Sequence, residues 1–111
     1  MGKDFCYNIV RRGKKIPKEE DYDDSEQYWD AFRKFYHNFT DMPYGRNQWD
    51  GPYSNDTFSD GGFTQDEMIE SLKNYVKYLD THNYNVRFTL KAFGRIIAEM
   101  DDDQVVYIKY G

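Results

Sequence analysis

The sequence predicts an α+β fold, a small single domain with two or three helices packed on a small antiparallel sheet. Three observations carry that prediction. Runs of β-forming residues stand near the two ends of the chain, FCYNIV at 5–10 and VVYIKY at 105–110. Between them lie amphipathic helical patterns, one of which opens with a complete start signal. The length, 111 residues, suits one domain with one core.

Taken in order, residues 5–10 read as a strand, and Arg11, Arg12, Gly13, Lys14 and Lys15 form a basic turn that Pro17 closes. Between residues 3 and 18, six basic side chains (Lys3, Arg11, Arg12, Lys14, Lys15, Lys18) stand against one acid, Asp4, a local charge of +5. The acidic run EEDYDD at 19–24 follows, as the solvated approach to a helix that Asp24 or Ser25 can cap. Trp29, Phe32, Tyr36 and Phe39 then recur at spacings of three, four and three, a single helical stripe that Tyr28 and Phe35 widen. Such a stripe belongs in a core, and its width predicts that rings at its edges stay at the surface.

From 40 to 62 the periodicity stops. This irregular, aromatic-rich loop holds Pro43, Gly45, Gly51, Pro52, Gly61 and Gly62 together with Tyr44, Trp49, Tyr53 and Phe58. A long loop that carries rings is expected to pack or to bind. The second helix starts at Thr64, with Glu67 completing a capping box and Phe63 and Met68 at the staple positions. Met68, Leu72, Tyr75 and Leu79 form its buried stripe, supported by Ile69 and Val76, and its end is expected near Thr81.

Residues 84–100 carry two periods at once. Val86, Phe88, Leu90 and Ala92 alternate as in a strand, whereas Leu90, Phe93, Ile97 and Met100 fall at helical spacing. The reading is a short strand at 84–88, Thr89 as a cap and a helix over 90–100, with a β-hairpin turning at 101–104 as the rival. Gly94 costs that helix about 1 kcal/mol relative to alanine.

Composition then bounds function. Eleven Tyr, eight Phe and two Trp supply large, stiff, half-polar contact area of the kind enriched at interfaces. Fifteen Lys and Arg against twenty Asp and Glu leave a net charge of −5, which argues against undirected affinity for phosphate backbones. No apolar run reaches membrane-spanning length and the N-terminus lacks the apolar centre of a signal peptide, so no membrane association is expected. The single Cys6 fits a reducing, cytoplasmic setting, as a small buried side chain in the first strand. His37 and His82 stand where helices are expected to end, which suits capping. No recognised nucleophile setting and no phosphate-binding glycine loop is found, so neither an enzyme nor a cofactor is predicted.

Residues 56–67, DTFSDGGFTQDE, resemble an EF-hand calcium loop, with Asp56, Asp60, Gly61, Thr64 and Glu67 at matching positions. Phe58 occupies a ligand position, however, and Pro43 and Pro52 interrupt the segment where an entering helix belongs, so no metal site is assigned. Residues 66–110 resemble the C-terminal winged-helix module of phage and plasmid replication primases, through a helix, a linker and the element Phe93-Gly94-Arg95. That resemblance implies that Lys91 and Arg95 face DNA, with Arg87 helping from the linker. The chain departs from the pattern in having one wing strand and in carrying Asp101, Asp102 and Asp103 beside it.

Two functional expectations result. The favoured one is a non-catalytic binding protein, a small acidic phage- or mobile-element-encoded inhibitor or immunity protein. In it Glu19, Glu20, Asp21, Asp23 and Asp24 imitate a nucleic-acid backbone and steer the chain to a basic protein surface, where Tyr44, Trp49 and Tyr53 anchor the contact. The alternative is a winged-helix-like accessory protein of replication or regulation that binds nucleic acid through Arg87, Lys91 and Arg95.

Overall fold

A computed structural model describes residues 5–44, 51–52, 61–79 and 84–110. Among the described residues, three helices and a four-stranded antiparallel sheet form the α+β fold that the sequence predicts. In chain order the elements are β1 (Phe5–Arg11), a short 3₁₀ turn (Glu19–Asp21), α1 (Ser25–Tyr36), β2 (Thr40–Asp41), β3 (Phe63–Thr64), α2 (Gln65–Lys77), α3 (Tyr84–Glu99) and β4 (Gln104–Tyr110). The sheet order is β2-β1-β4-β3, so the two terminal runs pair at its centre and two-residue strands form its edges.

The β1–β4 register explains both layers of the core. Tyr7 pairs with Ile108 and Ile9 with Val106, while Asn8 pairs with Tyr107 and Val10 with Val105. Because successive side chains point to opposite faces, the first set turns to one side of the sheet and the second set to the other. On the first side Tyr7, Val106 and Ile108 are buried with Phe63, Met68, Phe93, Ile96 and Met100, under α2 and α3. On the second side Val105 and Tyr107 are buried with Phe35 of α1, while Val10, Ile16, Tyr36 and Phe39 pack around them half-buried. The sheet is therefore covered by two helices on one face and by one aromatic helix on the other.

Local chemistry sets the ends of the elements. Asp24 caps α1, its Oδ1 accepting the Gln27 N–H at 2.8 Å. The capping box of α2 is complete, with Thr64 Oγ1 accepting the Glu67 N–H at 3.1 Å and Glu67 Oε1 accepting the Thr64 N–H at 2.9 Å. Its staple residues Phe63 and Met68 are both buried. Gln65 adds a tie that spacing does not reveal, since its Nε2 donates to the carbonyls of Ile97 and Met100 at 3.0 Å each. The first residue of α2 thus shares the Ile97 carbonyl with the Met100 N–H and gives the Met100 carbonyl, just past the end of α3, a donor. Gly62 lies at φ 75°, and a Cβ there would stand 3.1 Å from Val105 Cγ2 and from the Val106 carbonyl oxygen. Only glycine fits this approach to the sheet.

Several expectations are corrected. The strand at 84–88 and the Thr89 cap are replaced by one continuous helix from Tyr84, and the hairpin rival falls with them. Val86, Thr89, Ala92, Phe93 and Ile96 form its buried face, which Met100 just past its end continues, while Phe88, which the alternating pattern would bury, is exposed. The turn at 101–104 is real, closed by the Gln104 N–H to the Asp101 carbonyl at 3.1 Å, but it joins α3 to β4. In α1 the buried centre is Phe35, 5% exposed, rather than the line Trp29, Phe32, Tyr36 and Phe39. Helix α2 ends at Lys77 with Tyr78 as its C-cap, short of Thr81, and Val76 is exposed. Thr40 and Asp41, placed in the irregular loop by the sequence, extend the sheet beside β1. Cys6 is half-buried rather than buried.

Candidate functional site

The α1 side of the molecule joins negative charge to exposed rings. From residue 19 to residue 32 the chain carries seven acids (Glu19, Glu20, Asp21, Asp23, Asp24, Glu26, Asp30) and no Lys or Arg. Glu19, Glu20, Asp21, Asp23 and Asp24 are all exposed, and Asp24 is also the α1 cap. A run of rings begins beside them: Tyr22 to Tyr28 at 6.1 Å, Tyr28 to Trp29 at 5.2 Å, Trp29 to Phe32 at 5.6 Å and Phe32 to Tyr36 at 4.5 Å between centroids. The run reaches the core where Phe35 meets Tyr107 edge to face at 5.1 Å. Trp29 is 51% exposed and Tyr22, Tyr28 and Phe32 are half-buried, so the outer half of the ladder is open to a partner. Asp30 pairs with Lys34 at 3.2 Å on the exposed surface, a contact worth only tenths of a kcal/mol.

Tyr36 lies at the inner end of this ladder, with Lys109 Nζ 5.0 Å from its ring centroid. Burial, aided by the neighbouring Cys6 and Tyr28, pushes its hydroxyl up to about 12. Tyr107 anchors the basic turn from the same face, its hydroxyl donating to the Lys14 carbonyl. Arg12 is likewise engaged, donating from Nη2 to the Asp102 carbonyl at 3.1 Å.

The second group of predicted residues assembles on the other side. Arg87, Lys91 and Arg95 are exposed, four residues apart along α3. Arg87 is thus part of the helix and not of a linker. Tyr44, expected beside the acids, is found here instead: its ring centroid is 5.7 Å from Lys91 Nζ and 5.9 Å from Arg95 Cζ. The route of the chain explains this, because Phe39 packs in the α1 layer and Met42 in the α2–α3 layer. The backbone therefore crosses the β2 edge of the sheet and delivers Tyr44 to α3. Glu99 organises the group, with Oε1 accepting from Arg95 Nε at 3.1 Å and Oε2 from the Tyr7 hydroxyl at 3.0 Å. Burial, with Glu99 adding, raises the Tyr7 hydroxyl above its ordinary value. The Glu99 carboxylate and the Tyr44 hydroxyl beside Arg95 raise the guanidinium further.

Trp49 and Tyr53, the other predicted anchors, lie outside the described residues, as do His82 and positions 56–60 of the calcium-like loop. His37 is the C-cap residue of α1, its N–H donating to the Arg33 carbonyl at 2.9 Å. Among the described residues no three His, Cys, Asp or Glu side chains gather as a metal site, and no helix is long and apolar enough to cross a membrane. A shallow cleft of about 420 Å³ lies along α2, lined by Pro52, Ser71, Asn74, Tyr75, Tyr78 and Phe93.

The exposed rings of α1 are the feature that sequence spacing located without orienting, since the stripe was legible and its buried edge was not. The pairing of Tyr44 with α3 had no local signal. In comparisons with known proteins, no family, curated protein or solved structure matches this chain.

Proposed function

We propose that this chain is a non-catalytic binding protein that docks a basic protein surface through the acidic turn and aromatic ladder of α1. The observation that carries the reading is Trp29, half exposed on a ladder of rings with seven acids and no basic residue in residues 19–32. Tryptophan and tyrosine in a partly open cluster are the residues that dominate interface energies once a partner excludes water. The surrounding carboxylates would speed encounter with a basic surface and disfavour acidic ones. A protein of this kind acts by masking, as an inhibitor that occupies a surface its partner otherwise presents to phosphates.

Affinity capture with three baits tests the reading: the wild-type chain, Trp29→Ala, and Lys91→Ala/Arg95→Ala. A partner held by the first and third baits and lost or weakened about 30-fold on the second is expected, corresponding to about 2 kcal/mol at a hot spot. A partner equally retained by Trp29→Ala, or no protein enriched by the wild type, would refute it.

A further inference from the structure

We propose a second binding site, for single-stranded nucleic acid, on the outer face of α3, with Tyr44 as the platform on which an unpaired base stacks. It is independent of the α1 reading and lies on the opposite side of the sheet. Its cations come from one helix: between residues 84 and 98 the chain carries Arg87, Lys91 and Arg95 and no acid. The overall charge of −5 does not describe this surface, because the acids of residues 19–30 belong to the α1 layer.

The platform comes from elsewhere in the chain. Tyr44 is 47% exposed and is held with φ at 62°, in the left-handed region that a tyrosine rarely adopts. Strained backbone of this kind persists where the surroundings fix it, and it concentrates at ligand sites. Its ring lies against α3, with Lys91 and Arg95 both within 6 Å of the centroid. A second exposed ring, Phe88, precedes Lys91 by three residues on the same helix, so it lies one turn along the same surface. Gly94, between Lys91 and Arg95 in sequence, is exposed, and a Cβ at that position would have nothing within 4 Å. Glu99 is a positioning residue: it holds Arg95 by Nε and is itself held by Tyr7 of β1.

Exposed rings interleaved with cations are the combination that binds unpaired strands, because every base offers a face to stack and every phosphate a charge. A duplex keeps its bases stacked on one another and has no use for the platform, which favours the single strand. The basic turn is a poorer candidate, since the ring beside its Lys14 is Phe35, which is buried and offers no face to a base.

Fluorescence anisotropy with a labelled twelve-nucleotide thymidine strand tests the site, at about 20 mM and about 150 mM salt. Binding is expected at low salt, with a log–log salt slope of about −2 for three phosphate contacts. Tyr44→Ala is expected to weaken it about 10- to 30-fold and Tyr44→Phe by less than about threefold. Lys91→Ala/Arg95→Ala is expected to flatten the slope by about 1.4. Circular dichroism of each variant confirms that it is folded. The proposal is overturned by any of four results: no binding at low salt, indifference to Tyr44→Ala, equal affinity for a duplex of the same length, or loss on Lys14→Ala/Lys15→Ala instead. Displacement of the strand by equimolar free nucleotide would also overturn it, by making a nucleotide the ligand.

Discussion

Replacing Phe35 by alanine tests how α1 is fastened to the sheet, and the structure sets the size of the effect. Phe35 is 5% exposed and packs edge to face on Tyr107, itself fully buried on β4. Burying a phenylalanine removes roughly 150–200 Å² from water, which at about 25 cal/mol per Å² amounts to about 4–5 kcal/mol. Measured Phe→Ala losses in cores run about 3–5 kcal/mol. The neighbours Val10, Ile16, Tyr36 and Phe39 are half-buried and can relax into the space, so the lower end applies, about 3 kcal/mol. A domain of this size has roughly 6–16 kcal/mol in total, so the variant still folds but with a large share of its stability gone. Urea denaturation followed by circular dichroism would show this as a midpoint lowered by about 1.5 M at a slope near 2 kcal/mol per M. The control is Trp29→Ala. Trp29 is 51% exposed and, among the described residues, its ring contacts are with Tyr28 and Phe32 of its own helix, so removing it should cost at most about 1 kcal/mol. A Phe35→Ala loss below about 1 kcal/mol, or a Trp29→Ala loss equal to it, would show that α1 docks by a different edge.

Other outcomes can be checked in the same assay. Gln65→Ala should cost about 1 kcal/mol, because the Met100 carbonyl loses its side-chain donor while that of Ile97 keeps the Met100 N–H. Gly94→Ala should stabilise by up to about 1 kcal/mol, since the site is an exposed helix interior with open space around the added methyl group. The contribution of Tyr36 and Tyr7 to stability should be level below about pH 10 and fall as the pH rises from 10 toward 12. Folding raises the Tyr36 hydroxyl to about 12, and Tyr7 in the same direction, so the folded state holds protons that the unfolded chain has already released. Tyr36→Phe should reduce that alkaline loss, and an unchanged pH profile would contradict the assignment.

The parts of the fold legible in the sequence are those with local causes. The β-rich runs at the two ends become the central pair of the sheet, and Thr64, Glu67, Phe63 and Met68 do at the start of α2 what their spacing requires. The rest depends on partners distant in sequence. Val86, Phe88, Leu90 and Ala92 imitate a strand, and a polar Thr89 at a buried position hides the helical face that it completes. In α1 rings recur at nearly every helical spacing, so the pattern defines a helix but not which edge turns inward. The two-residue strands β2 and β3 are made by β1 and β4 and have no pattern of their own. For the candidate sites, the acids and the α3 cations were visible as charge. The association of Tyr44 with Lys91 and Arg95 depends on where the chain crosses the sheet edge, which no short stretch of sequence encodes.

The central claim is that the α1 face is the protein-binding surface, and the most direct measurement is hydroxyl-radical footprinting of the chain alone and bound to its captured partner. The account predicts strong protection of Tyr22, Tyr28 and Trp29 with Tyr44 and Phe88 unchanged. Protection of Tyr44 and Phe88 with Trp29 still reactive would contradict it and move the protein interface to α3.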